Sequence, residues 1–391
     1  MGSRTVLAQL ISFLPKRDFR RCVERYEGDR NTRTFSCWDQ FVCMLVAQLG
    51  KKESLRELET CIRGLGSVLY HSGVKGRLSR NTLAYANENR PSAIFGDFCK
   101  ILITKARKLY LDDKIVGNID GLVYVLDSTL IGLSLSLCPW SYFGSRPKAG
   151  VKVHTQLDLR GEIPSFIHIS KAKMSDNYFL DHITVEPGAF YVIDRAYLDL
   201  VRLYNMHKKL GYFVVRSKWH VRFKRILSNP KDENNKAVLS DQIVRCSGGK
   251  GKYNYPERIR RIRYKDLETN RIFTYLTNNF ELSAQVIADL YKARWQIELF
   301  FKWIKQNLLI TSFMGRSQNA IEIQIWTALA SYLTVAIAKS TLRTDATLTE
   351  IMSLLPQILF MKTPLNKPFR DQHLQHYSKS SFLSPKQLNL L

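Results

Sequence analysis

Two short apolar runs, each followed at once by an aspartate, constrain the fold of this chain more than any other feature. Residues 123–126 are apolar and lead into Asp127, and residues 189–193 lead into Asp194. Continuous apolar runs of this length are typical of central strands that are buried on both faces. A carboxylate at the C-terminal end of such a strand lies where mixed sheets keep their chemistry. A lone acid there is more simply a turn or helix cap, but the pair indicates a functional site.

A segment with helical period, residues 283–309, carries a third carboxylate. Four polar side chains share one face of this segment: Tyr291, Arg294, Glu298 and Lys305. One interpretation is a solvated face with i,i+4 ion pairs. The spacing favours another, because cations along about 20 Å of helix around one carboxylate suit a metal ligand with a phosphate backbone beside it.

The pattern Y-x2-R-x3-E-x6-K formed by these four residues resembles the signature of DDE transposases of the insertion-sequence-four group. The resemblance implies a ribonuclease-H-like domain with Asp127 on its first strand, Asp194 on its fourth and Glu298 on a late helix. It implies that these three carboxylates are catalytic and act as metal ligands. Their hard oxygens suit two Mg²⁺ or Mn²⁺ ions. The hairpin predicted over 151–158 and 163–169 agrees with the element order of that fold.

The fold class predicted from these elements is mixed α+β, in three parts. Residues 1–115 form an all-helical N-terminal DNA-binding domain, because apolar residues recur there at helical spacing. Residues 116–342 form the ribonuclease-H-like catalytic domain, interrupted at about 216–279 by a β-rich insertion. Residues 343–391 form a C-terminal helical tail.

The charge of the 391-residue chain indicates its partner. A formal net charge of +25 implies a polyanion, and double-stranded DNA is the leading candidate. A membrane surface is the competing anion, but the most apolar stretch, residues 323–338, is interrupted by polar side chains and is predicted to be a buried helix. The seven cysteines form no CxxC pair, which favours a reducing, cytoplasmic compartment.

Several residues are candidates for DNA contact. Arg80 and Asn81 open a helix after a turn, which is the layout of a helix-turn-helix or, alternatively, of a small helical bundle. Arg258 and Arg260 share one face of a predicted strand at 258–264. The resemblance implies that this strand contacts the transposon end, and an edge strand protected by its charge is the alternative.

Further roles follow from the catalytic helix. Arg294 and Lys305 are expected to hold phosphates on either side of the scissile bond, and Tyr291 to donate to a phosphate. By resemblance, Trp295 stacks on a displaced base, although a core tryptophan is an equal alternative. His154 is a candidate neighbour of the metals, but a satisfied histidine within the sheet is the favoured interpretation.

The resemblance implies DNA transposition by a bacterial, nucleoid-associated protein: binding of terminal inverted repeats, strand cleavage, strand transfer into target DNA and a homodimer that pairs two ends. A metal-dependent nuclease of the same fold and a non-catalytic DNA-binding derivative are the alternatives. One departure is Ala196, where the family usually has glycine in D-x-G-Y. If that position needs a positive φ, alanine would be strained by about 1 kcal/mol.

Overall fold

The computed structural model of the chain describes residues 4–30, 32–74, 78–113, 121–134, 138–143, 148–218, 221–230, 235–248 and 251–370. Within them the protein is mixed α+β, with a large sheet and helices packed on it. The strands are β1 Val123–Leu133, β2 Tyr142–Phe143, β3 Lys148–Asp158, β4 Ile163–Lys171, β5 Phe190–Ile193, β6 Tyr212–Arg216, β7 Phe223–Ser228, β8 Val238–Cys246, β9 Arg258–Lys265 and β10 Ile272–Thr277.

The helices precede, interrupt and follow these strands. They are α1 Val6–Ser12, α2 Lys16–Arg25, α3 Cys37–Leu49, α4 Leu55–Leu65, α5 Arg80–Asn89, α6 Ser92–Leu109, α7 Leu200–Lys208, α8 Gly251–Asn254, α9 Ala284–Ala293, α10 Trp295–Asn307, α11 Gln318–Leu342, α12 Leu348–Ile358 and α13 Lys367–Arg370. The N-terminal segment is helical as predicted. Its capping agrees with the local sequence: Ser36 and Asp39 form a capping box at the start of α3.

One sheet contains all the strands. Its order is β2-β3-β1-β5-β6-β10-β9-β8-β7, and β4 pairs with β3. Strands β1, β5 and β6 run parallel to one another at the centre of the sheet. All the other pairs of neighbouring strands are antiparallel. The hairpin predicted over 151–158 and 163–169 is the β3–β4 pair. The segment at 216–279 is β-rich as predicted, and its strands extend the sheet outward from β6.

The first central strand is longer than predicted. The apolar run predicted a strand ending before Asp127, but β1 continues to Leu133. Its parallel pairing with β5 ends at Leu126, opposite Ile193, whereas its antiparallel pairing with β3 goes on from Asp127 to Leu133. Asp127 therefore lies within β1, at the first residue that extends beyond the parallel pairing with β5.

The continuous apolar runs arise because both faces of the central strands are covered. Val123 and Val125 face a core shared with the N-terminal and C-terminal helices, and Tyr124 and Leu126 face a second core under α7. Alternate residues of a strand point to opposite faces, so a strand buried on both sides carries no polar alternation.

Helix α11 lies at the centre of the first core. It packs against α1, α3, α5, α6 and α12. By length and composition it could cross a membrane, but 89% of its most apolar window is buried inside the protein, as predicted for a core helix. Its buried hydroxyls bond to carbonyls one turn back, for example Thr327 to Ile323 and Ser331 to Thr327.

The helices at both ends of the chain contribute to that same core. The backbone N–H groups of Val6 and Leu7 donate to the carbonyls of Met361 and Leu359, so the first helix is joined to the end of α12. The domain divisions near residues 115 and 342 stay predictions, and apolar packing continues across both. The last part of the predicted tail, residues 371–391, lies outside the described residues.

Candidate active site

The two aspartates meet because their strands are adjacent, parallel and in register. Leu126 pairs with Ile193, and Ile193 pairs with Val215 on β6. The next residues along these three strands are Asp127, Asp194 and Arg216. The carboxyl ends of the parallel strands thus bring two acids and one cation to the same edge.

Backbone N–H groups orient both carboxylates. Oδ1 of Asp127 accepts from the N–H of Ser128 at 2.8 Å. Asp194 is the N-cap of a short 3₁₀ helix, Arg195–Tyr197, and its Oδ2 accepts from the N–H of Ala196 at 3.2 Å. Both carboxylates are therefore held by the local backbone, with their second oxygens turned to other partners.

The segment predicted as one long helix is two helices, α9 and α10, separated at Arg294. The helical bonds tighten there to an i,i+3 pattern, with the N–H of Arg294 donating to Tyr291 and that of Ile297 donating to Arg294. Glu298 lies in the first turn of α10. The prediction of a single helix was wrong, because this break falls inside the periodic segment without a proline or glycine to mark it.

Arg294 connects the carboxylates. Its Nη1 donates to Oδ2 of Asp127 at 3.3 Å and its Nη2 to Oε1 of Glu298 at 2.6 Å. The hydroxyl of Tyr291 donates to Oδ1 of Asp194 at 3.4 Å. The i,i+4 pair between Arg294 and Glu298 does form, but the Arg294 side chain is only 15% exposed and also bridges to β1, so this is not a solvated face.

Burial and neighbouring charges shift the pKa values of the two aspartates in opposite directions. Burial raises the pKa of Asp127 to about 6; the Ser128 N–H and Arg294 oppose the shift, and the neighbouring carboxylates add to it. Burial also acts to raise the pKa of Asp194, but the N–H groups of Ala196 and Arg195 outweigh it, so that this pKa is lowered. Two carboxylates on neighbouring strands therefore differ in how readily they lose a proton.

The donor set fits a divalent cation. Asp127, Asp194 and Glu298 supply carboxylate oxygens, which Mg²⁺ and Mn²⁺ accept. Burial, with a contribution from the neighbouring carboxylates, raises the pKa of Asp127, and a bound cation would oppose that shift. No three His, Cys, Asp or Glu side chains in the described ranges are close enough together to hold a metal as they stand. The Arg294 guanidinium occupies the space between Asp127 and Glu298, in the place of a cation.

Two predicted DNA contacts flank this cluster on α10. Trp295 is 46% exposed, so the alternative of a core tryptophan is wrong. Lys305 lies further along the helix, is partly buried and has no ion pair within the part of the chain that is described; burial lowers its pKa. Their contacts with DNA stay predictions.

The remaining predicted DNA contacts lie on other elements. Arg80 and Asn81 are exposed in the first turn of α5, after α4 and a 3₁₀ helix, Gly66–Ser72, and α5 packs against α3, α4 and α11. Arg258 is exposed at the start of β9. All three are accessible to a ligand, and none of them contacts the carboxylates in the described residues.

The prediction for Arg260 was wrong. Its side chain is 5% exposed and forms a two-point ion pair with Asp241, through Nε at 2.9 Å and Nη2 at 2.6 Å. Its Nη1 donates to the carbonyl of Leu282. Strand alternation does place Arg260 and Arg261 on opposite faces of β9. The side chain of Arg260 points into the core, where its donors are all directed at groups of the protein itself.

Two further expectations are resolved by the backbone and by burial. Ala196 sits in the 3₁₀ helix and does not have a positive φ, so the condition for strain there is not met. His154 is fully buried in β3, with Nε2 3.0 Å from Oγ of Ser170, and burial lowers its pKa to about 4. It lies within the sheet as favoured above, but it is only half satisfied, because its buried Nδ1 has no hydrogen-bond partner in the described residues.

Two functional candidates were missed in the sequence. Arg216 follows an apolar strand just as the two aspartates do, and this shared position was the available signal; its charge helps to lower the pKa of Asp194. Asp176 had no such signal. It lies on a 3₁₀ helix and its Oδ1 accepts from Oγ of Ser128 at 2.7 Å and from Nζ of Lys152 at 3.0 Å, which ties the strand of Asp127 in place.

Known proteins are similar to most of this chain. The family model described as "Transposase DDE domain" matches residues 119–334, and one described as a domain of unknown function, DUF4372, matches residues 3–75. The protein y4zB of Sinorhizobium fredii, named as a transposase, is 30% identical over 310 residues, covering 78% of this chain and 85% of the relative.

Two other relatives are named as transposases of insertion sequence elements. That of IS5377 from Geobacillus stearothermophilus is 29% identical and covers 54% of each chain, and that of IS4SA from Synechocystis is 27% identical and covers 65% of this chain and 70% of the relative. A solved piggyBac transposase synaptic complex with hairpin DNA aligns with a TM-score of 0.43 and 11% identity, covering 95% of this chain and 80% of that one. The matched family domain spans all three carboxylates of the site, and members of this family use divalent metal ions. This chain belongs to the DDE transposase family, and two of its relatives are named as transposases of insertion sequence elements.

Proposed function

We propose that this transposase binds the terminal inverted repeats of an insertion sequence, cleaves DNA strands at its ends and joins those ends to target DNA. One observation carries the proposal: Asp127 on β1 and Glu298 on α10 share one arginine, Arg294, and Asp194 follows the adjacent parallel strand and bonds to Tyr291. A cluster with so much negative charge is costly to keep unless it binds cations or reacting groups.

A ribonuclease-H-like core is the fold proposed for this site. The order β4-β3-β1-β5-β6, with β3 and β4 antiparallel and β5 and β6 parallel to β1, supports it. The first acid lies on the first strand of this group, the second follows the fourth, and the third lies on α10, as the resemblance implied.

Asp127, Asp194 and Glu298 are the proposed ligands of two Mg²⁺ or Mn²⁺ ions. Bound ions of this kind supply an activated nucleophile and stabilise a leaving oxygen in phosphodiester chemistry. The protein's own contribution is to hold the three carboxylates through the N–H groups of Ser128 and Ala196 and through the first turn of α10.

Arg294 has two partners in this proposal. Without a metal it neutralises Asp127 and Glu298; when cations take that role, its guanidinium is free to hold a phosphate of the DNA. Tyr291 and Lys305 would hold further phosphates along the same side of α9 and α10. Trp295, exposed between them, would stack on an unpaired base.

The rest of the DNA contact is assigned to exposed cations. Arg80 and Asn81 on α5 would read the terminal repeat, and Arg258 on β9 would hold its backbone. Two copies would pair two ends as a homodimer. All seven cysteines are free, which supports action in a reducing bacterial cytoplasm, on the nucleoid.

The test incubates the full chain with a duplex that carries its element's terminal repeat, in Mg²⁺. Asp127→Ala and Glu298→Ala are run beside Asp18→Ala, which removes an acid on α2 whose ion-pair partner in the described structure is its neighbour Arg21. We expect cut and joined products from wild type and Asp18→Ala alone. Cut but unjoined products would indicate a nuclease, and binding without cleavage would indicate a non-catalytic derivative.

A further inference from the structure

A pocket in the N-terminal helices lies apart from the carboxylate site. It has a volume of about 410 Å³ and is formed by α2, the loop before α3, the start of α3 and Gly73. Its inner wall is apolar, with Phe19 and Trp38 among its side chains. It falls within residues 3–75, the segment that matches a domain of unknown function. Pockets of this size hold small molecules or single groups of a larger ligand.

The cations around this pocket differ from the others nearby. Lys16, Arg20 and Arg33 line it, are exposed and have no ion pair with any residue of the described segments. Three other arginines of the same region are each paired with an acid: Arg21 with Asp18, Arg25 with Asp97, Arg30 with Glu27. The pocket therefore groups three cations that have no ion pair in the described residues.

The two acids of the pocket are already used. Oδ1 of Asp29 accepts from the N–H of Cys37 at 2.6 Å, and Oδ2 of Asp39 accepts from the N–H of Ser36 at 2.8 Å in the capping box. They fix the start of α3, and no ion pair joins either of them to Lys16, Arg20 or Arg33 among the described contacts. The pocket rim therefore keeps its positive charge.

Trp38 and Gly73 shape the floor of the pocket. The indole N–H of Trp38 donates to the carbonyl of Ser72 at 3.2 Å, and Nζ of Lys16 lies 4.8 Å from the ring centroid. Gly73 has a φ of +84°, and a Cβ there would lie 2.8 Å from Nζ of Lys16 and 2.9 Å from Nε1 of Trp38. Any side chain at this position would clash with both groups and would have to displace Lys16 or the indole from the pocket.

We propose that this pocket binds one unpaired nucleotide of the DNA, with its base against the apolar wall at Trp38 and its phosphate among Lys16, Arg20 and Arg33. An aromatic wall beside unpaired cations matches the two parts of a nucleotide, a flat base and an anionic phosphate. The inference rests on the proposed function only for DNA as the partner. It assigns a further nucleic-acid site, separate from the carboxylates and from the DNA contacts proposed on α5 and β9.

The test measures binding of fluorescein-labelled duplexes by anisotropy, with the full chain in EDTA so that no strand is cut. One duplex is blunt, and the other has a single unpaired nucleotide at its end. We expect wild type to prefer the second by about tenfold, and Arg20→Gln and Arg33→Gln to lose this preference. Arg21→Gln, on the same helix but outside the pocket, should keep it.

A pair of glycine variants separates pocket filling from backbone strain. Gly73→Ala places a methyl group in the pocket, whereas Gly188→Ala imposes similar strain at a φ of +79° with nothing within 4 Å of the added Cβ. We expect only Gly73→Ala to lose the preference. If it fails to fold, the arginine variants still decide the matter.

Free deoxyadenosine monophosphate and inorganic phosphate are titrated by calorimetry into the protein bound to the duplex with the unpaired nucleotide, to identify the group that the pocket recognises. We expect the nucleotide, but not phosphate, to compete with that duplex for the pocket. Equal competition by both, an unchanged preference in Arg20→Gln, or an equal loss in Arg21→Gln would overturn the proposal. The proposed transposition reaction is scored by cut and joined products, so it can fail or succeed independently.

Discussion

Two arginines that are largely removed from solvent, Arg260 and Arg294, form similar ion pairs but differ in the balance of charge around them. Arg260 faces one carboxylate, Asp241, and its remaining donors reach backbone carbonyls. Arg294 stands between Asp127 and Glu298, near Asp194, and its Nε has no partner in the described structure. Arg260 and Asp241 together are electrically neutral, and we call them the closed pair. Arg294 and the three carboxylates carry a net negative charge and leave one donor without a partner, and we call them the open cluster. A buried ion pair marks a functional site when its charges do not balance.

Breaking the closed pair should have the largest effect on stability. Arg260→Met leaves Asp241 buried without its cation, so we expect the free energy of unfolding to fall by about 3–5 kcal/mol. Urea unfolding monitored by circular dichroism measures it. Arg258→Met, two residues away on the same strand but exposed, should change it by less than about 0.5 kcal/mol. A loss below about 1 kcal/mol for Arg260→Met would contradict the description of this pair as structural.

Breaking the open cluster should have a smaller effect that a metal reverses. Arg294→Met leaves the carboxylates to repel one another, and we expect a loss of about 1–3 kcal/mol in EDTA. Thermal unfolding in EDTA and in Mn²⁺ measures it. Mn²⁺ should restore Arg294→Met towards wild type, because the cation replaces the guanidinium, and should leave Arg260→Met unchanged. Equal behaviour of the two variants in Mn²⁺ would remove the distinction between the clusters.

Replacing one aspartate by asparagine should change the free energy of unfolding in opposite directions at the two clusters. The pKa of Asp127 is raised from its ordinary value of 3.8 to about 6. The stability contributed by the protonated form is fully present below about pH 4 and is lost as pH rises through 6. Above pH 6 the wild type therefore carries a penalty that Asp127→Asn removes, and we expect that variant to be more stable by about 1–2 kcal/mol at pH 8 without metal.

The matched change at the closed pair is Asp241→Asn. It leaves Arg260 unpaired and should destabilise the protein at pH 8. Thermal unfolding between pH 4 and pH 8 compares the two variants, and the gain from Asp127→Asn should shrink as the pH falls towards 4. A gain that does not change with pH would show that the charge of Asp127 is not its cause.

The smallest effect on stability is expected at the exposed edge of the open cluster. Trp295 is 46% exposed, so Trp295→Ala should alter the free energy of unfolding by less than about 0.5 kcal/mol while lowering cleavage of the terminal repeat by about tenfold. Trp303 on the same helix is the control, because its Nε1 donates to Oγ1 of Thr349 and its ring packs on Tyr332. Trp303→Ala should lose stability. A comparable loss in Trp295→Ala would show that its ring is part of the core.

Residue type and local period predicted the parts of the site that depend on neighbouring residues in the chain. The apolar runs before Asp127 and Asp194 located two adjacent strands, and helical spacing located Glu298. Periodicity could not show the full length of β1, because its extension depends on pairing with β3 rather than on apolar side chains. Nor could it show the break at Arg294.

The feature that was least predictable from the sequence is which charged side chains are buried and paired and which are exposed. Nothing in the local pattern distinguishes Arg260 from Arg258, since both fall on the same face of a basic strand. The difference comes from Asp241 on the neighbouring strand β8, where the register places it beside Arg260. Arg216 and Asp176 were missed for the same reason: their roles depend on partners that are distant in sequence.

Helix α11 has a consequence for how such a transposase can change the terminal repeat that it recognises. This helix packs against α3, α5 and α6, and its Tyr332 packs on Phe300 and Trp303 of α10. An N-terminal segment borrowed from a relative would bring a foreign apolar surface to a helix that also packs on α10, which carries Glu298. We therefore expect recognition of the terminal repeat, proposed above for Arg80 and Asn81, to diversify by substitutions on the exposed side of α5, while grafted N-terminal segments give misassembled proteins.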